Sequence, residues 1–346
     1  MMINKRLVVS GSPHIHASDS VSRRMWGVVI ALMPAVAYSV YLFGLGALVV
    51  LLTSVIGCVV VEYLIQRFMI GGKMTIGNGS AVITGLLLAM NLPSNLPIWI
   101  ILIGCIVAIG LGKYAFGGLG QNIFNPAILG RVFLLISFPQ QMTSWPLPMV
   151  NRTCYLDATT GATYLSKMKM NAMSAVDTST GATVVDNSTG ASVVNAMSES
   201  ALDSLNWVDA FIGNMGGSLG EVSAIALILG GVFMLCRGII SWHIPVSIIG
   251  TVMLIAWAAG VDPVMSVLSG GVMLGAIFMA TDYVTSPMTR RGMVMYGMMI
   301  GIITMVIRLW GAYPEGVSFA ILIMNGFTPL INKFVRPRKF GERRIN

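Results

Sequence analysis

The sequence predicts an all-α polytopic membrane protein of about ten transmembrane helices, in two inverted five-helix halves separated by a long polar extracytoplasmic loop. Three observations predict it. First, 55% of the 346 residues are hydrophobic and only 10% are charged, whereas soluble domains carry about 25% charged residues. A water-soluble globule of this composition would expose apolar patches that aggregate. Second, the chain contains a series of apolar stretches near the roughly 20 residues that a bilayer-crossing helix needs. Third, the net charge of +8 is segregated: residues 139–221 sum to −4 and the remainder to +12. Basic residues confined to short loops and tails fit membrane topology better than a nucleic-acid surface. The 39 glycines follow no three-residue period, and four cysteines make no disulfide framework.

Read in order, the predicted spans are 25–43, 45–65, 79–93, 97–116, 122–138, 218–236, 244–260, 264–280, 294–310 and 316–333. The third and fifth are short and contain Asn, Ser and Gly, the pattern of broken or re-entrant helices that survive only inside protein or along a cavity. With the N-terminus in the cytoplasm, Arg23, Arg24, Arg67, Lys73, Lys113, Arg237, Arg290, Arg291 and the basic tail from Lys333 to Arg344 all fall on the cytoplasmic side. Asp262 and Glu315 fall outside, and Arg131 and Arg308 are exceptions that must be buried or snorkel. The organisation is then a cytoplasmic segment 1–24, a first membrane half 25–138, an extracytoplasmic loop 139–217, a second half 218–333 and a basic cytoplasmic tail 334–346. Five spans per half give the halves opposite senses, the topology of an inverted repeat. Residues 1–22 are polar, so the first helix is expected to act as the membrane-targeting signal.

The outer loop carries a seven-residue frame, Asp-x-x-Thr-Gly-Ala-Thr/Ser, at 157–163, 177–183 and 186–192. One reading is turn chemistry in a solvated connector, with Asp and Thr capping turns and Gly supplying positive φ. The other is a covalent attachment point. Gly and Ala beside a hydroxyl leave the backbone open to a transferase and to a phosphate.

The frame at Asp157 to Thr163, with Leu165 after it, resembles the flavinylation motif of two related membrane proteins, the D subunit of the Rnf complex and the B subunit of the sodium-pumping quinone reductase. Collinear stretches extend the resemblance over nearly the whole chain. They are Gly117-Gly118-Leu119-Gly120-Gln121-Asn122 with Asn125-Pro126-Ala127, then Leu135-Ile136-Ser137-Phe138-Pro139, Gln141-Met142-Thr143-Ser144-Trp145, Trp242-His243-Ile244-Pro245, Thr281-Asp282 and Arg336-Pro337-Arg338. The short N-terminal segment favours the Rnf D branch.

The resemblance implies an FMN joined through its phosphate to Thr163, with Thr183 in reserve and Ser192 third. It also implies a second, non-covalent flavin between helices. The implied activity is that of an FMN-carrying subunit of an ion-translocating ferredoxin:NAD oxidoreductase in a bacterial inner membrane, with both termini cytoplasmic. The implied partners are the A, B, C, E and G subunits of the Rnf complex, a flavin transferase and the lipid bilayer, with no nucleic acid. The rivals are the B subunit of a sodium-translocating quinone reductase and, from another class, a urea-channel-like transporter without flavin.

Glu62, Arg131, Asp282 and Arg308 lie in or near spans, where ionisable groups are costly. Each either pairs internally or serves an ion or anion; for Glu62, Asp282 and Arg308, near helix ends, pairing is the simpler expectation. Cys58, Cys105, Cys154 and Cys236 form no Cys-x-x-Cys pair, so no iron–sulfur cluster is expected in this chain. His14, His16 and His243 are too separated for a metal site, and Gly118-Leu119-Gly120 lacks the strand–turn–helix setting of a dinucleotide site.

Overall fold

The fold is a computed structural model that describes residues 20–71, 76–149, 152–153, 155–156, 160–161, 163–166, 169, 207–213, 215–221, 223–311, 313 and 315–335, with backbone alone at 207–209. Among the described residues the architecture is helical, and the single β-bridge joins Pro146 and Thr160.

The first half begins with α1 (Val21–Phe43), capped by the Ser20 hydroxyl, which accepts from the Arg23 N–H. Gly44 turns the chain at φ 65° into α2 (Leu45–Leu64), which continues as a π-helical turn, Ile65–Ile70. The short α3 (Ser80–Met90) follows. Next come α4 (Ile98–Ile106), which runs on as a π-helix over Val107–Tyr114, and α5 (Pro126–Ser137). Asn125 caps α5 and Pro126 occupies its first turn, where a missing N–H costs nothing. The second half holds α6 (Ala224–Cys236), α7 (His243–Ala258), α8 (Pro263–Leu268), α9 (Arg290–Trp310) and α10 (Val317–Phe334).

Four helical runs are long and apolar enough to cross a membrane: α1, α2 with its π-helical extension, α9 and α10. The shorter helices α3 to α7 are also apolar. One face of α2 leaves Leu48, Leu52, Ile56 and Val60 exposed, a face that suits lipid rather than water. Within the protein, helices approach through small residues. A Cβ on Gly85 would lie 2.7 Å from the Val55 backbone, and one on Gly301 would lie 2.7 Å from the Thr251 Cβ. In this way α3 closes on α2 and α9 on α7. Across the halves, α1 packs on α6 and α5 on α10.

One element departs from expectation. The sequence predicts an unbroken span over 264–280, but the helix stops at Leu268, turns at Ser269–Gly271 and resumes over 272–279. Gly270 adopts φ 65°. The Arg308 guanidinium receives the freed carbonyls, donating to Ser266 O at 2.5 Å and Ser269 O at 2.9 Å. A broken helix is stable at membrane depth when protein groups satisfy its backbone in this manner.

Candidate functional site

The described part of the 139–217 loop folds back on the helix ends. The Leu45 N–H donates to Arg152 O at 2.9 Å, Met149 N–H to Leu42 O at 3.1 Å, and the Tyr155 hydroxyl to Leu96 O. Gly161 N–H donates to Trp145 O at 2.9 Å. A Cβ at Gly161 would lie 2.8 Å from Leu147 Cδ2, so the glycine of the heptad permits close packing.

Thr163 follows two residues later and is buried, at 6% exposure. Its hydroxyl lies 2.8 Å from Ser166 Oγ and accepts from the Ser166 N–H at 3.2 Å. The sequence suggested an acceptor open to a transferase; in the docked segment the hydroxyl instead faces inward. Asp157, Thr183 and Ser192 lie outside the described residues.

Thr163 and Leu165 line a small pocket with Glu221, Ser269, Gly270 and Glu315. Two buried arginines sit behind it. Arg131 donates to Asn91 Oδ1 at 2.6 Å and pairs with Glu315. Arg308 holds the carbonyls of the broken helix, as above. Glu221 accepts from the Ser218 hydroxyl at 3.0 Å. Next to Thr163, burial raises the Tyr164 phenol above its ordinary pKa, and the Asp262 charge adds to this. The loop thus brings its threonine onto a neutral cluster of two arginines and two carboxylates drawn from both halves. Sequence reading singled out Arg131 and Arg308 but missed Glu221, Glu315 and Ser269. Their signal is spatial: 184 residues separate Arg131 from Glu315.

A second buried network lies in the first half. Lys113 Nζ is 2.7 Å from both Glu62 Oε2 and Ser80 Oγ. The Tyr114 hydroxyl donates to Glu62 Oε1 at 3.1 Å, and Gln66 Nε2 reaches Glu62 at 3.2 Å. Glu62 is therefore paired internally. Lys113, which the sequence puts at the end of the fourth span, has a side chain only 3% exposed, paired with Glu62. Lys113 and Ser80 also line a cavity between the halves with Thr84, Asn122, Asn125 and Asp282.

The sequence profile of the NQR2, RnfD, RnfE family matches residues 8–341. The chain belongs to this family. It is 42% identical over 343 residues to the D subunit of the proton-translocating ferredoxin:NAD(+) oxidoreductase complex of Clostridium ljungdahlii, covering 97% of this chain and 96% of that one. It is 43% identical over 344 residues to the D subunit of the Na(+)-translocating ferredoxin:NAD(+) oxidoreductase complex of Acetobacterium woodii, covering 98% and 96%. The D subunit of the ion-translocating oxidoreductase complex of Stutzerimonas stutzeri is 40% identical over 336 residues, with 94% and 93% covered. As a member of the NQR2, RnfD, RnfE family, the chain sets its heptad threonine against the junction of its two halves.

Proposed function

We propose that this chain is the D-type membrane subunit of an ion-translocating ferredoxin:NAD oxidoreductase complex and carries FMN on Thr163 through a phosphodiester. The observation that carries the reading is the docking of the described end of the heptad, Thr160, Gly161 and Thr163. Its final threonine lines a small pocket with Ser269, whose buried hydroxyl has no partner among the described residues, and with Glu221 and Glu315. The unpartnered Ser269 hydroxyl can donate to a phosphoryl oxygen, but the lining also holds Glu221 and Glu315 and no cationic side chain. Bound FMN would supply one- and two-electron redox chemistry. The chain's own residues position the site. Gly161 admits close packing of the loop, Leu165 anchors it on Gly270, and Arg308 fixes the helix break beneath. Because Thr163 faces inward, attachment takes place with residues 163–166 lifted from this seat.

In this reading the chain has ten spans in two inverted halves, with the heptad loop outside and both termini in the cytoplasm of a bacterium. Support comes from matched packing: α2 lies on α3 and α4 as α7 lies on α8 and α9. Each half also buries a basic residue at a helix end, Lys113 and Arg308, against the start or break of a short helix. A second, non-covalent flavin between the helices belongs to this reading as well. The partners are the other complex subunits and a flavin transferase for maturation.

The test is co-expression with a flavin transferase, followed by a denaturing gel viewed under near-ultraviolet light. A fluorescent band at the mass of this chain, lost in Thr163→Val, is expected. A dark band from correctly inserted wild-type protein would refute the covalent flavin and leave the family membership standing.

A further inference from the structure

Helices α6 and α7 are joined by the short turn at 237–242, yet each packs elsewhere: α6 on α1, and α7 on α9 and α8. The space left between them is a groove of about 400 Å³. Ile228, Val232 and Leu235 of α6 line one side of it, and Ile249 and Met253 of α7 the other. The buried Ile277, beyond the helix break, lies at its base. Every lining side chain is apolar. Ile228, Val232, Leu235 and Met253 are also exposed, so the groove is open along its length.

One end of the groove is different. Ile240 lines it and also lines a second recess of about 250 Å³, which holds Ser241 and Ser286. The apolar space thus runs into a polar one. The Ser241 hydroxyl has Met293 Sδ, a weak acceptor, at 3.2 Å. Arg237 ends α6 beside this recess. It is exposed, its Cζ lies 5.6 Å from the centre of the Phe233 ring, and it makes no ion pair among the described residues. Trp242, 58% exposed, follows in the same turn. An arginine and an exposed tryptophan together mark the level of lipid headgroups. Apolar walls facing a void forfeit their dispersion contacts, so the gap needs an occupant. One turn of helix, about 10 Å across and 5.4 Å long, already takes up about 400 Å³. A crossing helix is therefore too bulky for the groove, whereas a single acyl chain is slender enough. At the polar end, a phosphate accepts from hydroxyl and guanidinium donors, and basic residues beside gaps between membrane helices take anionic headgroups.

We infer that the groove between α6 and α7 binds one anionic phospholipid, with an acyl chain between the helices and the phosphate at Arg237 and Ser241. The lipid completes the packing of two neighbouring helices that the chain's own side chains leave apart. The inference is independent of Thr163 and of any flavin.

The test is incorporation of an aliphatic diazirine amino acid at position 253, in the full chain within its assembled complex. The membranes used hold both zwitterionic and anionic phospholipids. The same label at position 52, on the exposed face of α2, is the control. After illumination the adducts are identified by mass spectrometry. Those at 253 are expected to be phospholipids, enriched about fivefold in anionic headgroups over those at 52, the scale set by one basic residue at the membrane surface. Arg237→Gln changes an exposed side chain and should return the adducts at 253 to the composition found at 52. A protein adduct at 253 means that a helix of another subunit fills the gap, and it overturns the inference. So does a lipid composition equal to that at 52, a failure to label lipid at 253 while 52 labels, or an enrichment that survives Arg237→Gln.

Discussion

Replacing Lys113 by Met removes a buried charge while retaining most of the side chain's apolar stem. The partner, Glu62, has no exposed surface, and the ions are 2.7 Å apart. At that separation and an effective dielectric constant of about 20, the attraction is roughly 6 kcal/mol. Desolvating both ions costs several kcal/mol each, so the pair as a whole contributes little net stability. Removing one partner is different, because Glu62 then stays buried without compensation. Lys113→Met should cost about 3–5 kcal/mol. Glu62→Gln with Lys113→Met should cost far less, since Gln at 62 retains contacts to Tyr114 and Gln66. The assay is SDS-induced unfolding in mixed micelles, followed by tryptophan fluorescence, over the full double-mutant cycle. A coupling energy above about 2 kcal/mol is expected. Strict additivity, or a Lys113→Met cost below about 1 kcal/mol, would refute the claim that Glu62 depends on Lys113 for its compensation.

Three further outcomes follow from the geometry. Gly270→Ala forces a side chain into φ 65° and to 2.6 Å from Arg308 Nη2. It should cost about 1–3 kcal/mol and speed proteolysis of the 139–217 loop, measured by limited digestion. Asn125→Ala removes the α5 cap and a 3.1 Å bond to Met279 O, and should cost about 2–3 kcal/mol in the same unfolding assay. Burial raises the Asp282 carboxyl above its ordinary pKa despite a hydrogen bond from Thr285. A raised carboxyl pKa means the folded state binds the proton more tightly. The stability it contributes is therefore fully present below the ordinary value of about 3.9 and is lost as pH rises through the folded value. Thermal unfolding at several pH values should show this decline in the wild type and a flatter profile in Asp282→Asn.

Much of the helical layout is legible in the sequence, because its stops are chemical. Gly44 turns α1 into α2, while Asn125-Pro126 and Asp262-Pro263 open helices with a cap and a proline. The short α3 and α5 announce themselves by polar residues within apolar runs. The break at Ser269–Gly271 is not legible, since its carbonyls are satisfied by Arg308, 39 and 42 residues further along the chain, and hydropathy averages over it. The Lys113–Glu62 pair is hidden for a related reason: a lysine at the end of a span normally marks an interface, and only the fold shows Glu62 beside it. Within the site, the threonine and the two arginines stand out as a motif and as charges out of place. Ser269, Glu221 and Glu315 look like ordinary loop residues until the halves pack.

The most direct test of the central claim is fragmentation mass spectrometry of peptides from the 139–217 loop of protein co-expressed with a flavin transferase. The account predicts a single FMN phosphodiester on Thr163, with Thr183 and Ser192 unmodified. Flavin on Thr183 or Ser192 alone, or an unmodified Thr163 in a fully inserted chain, would contradict it.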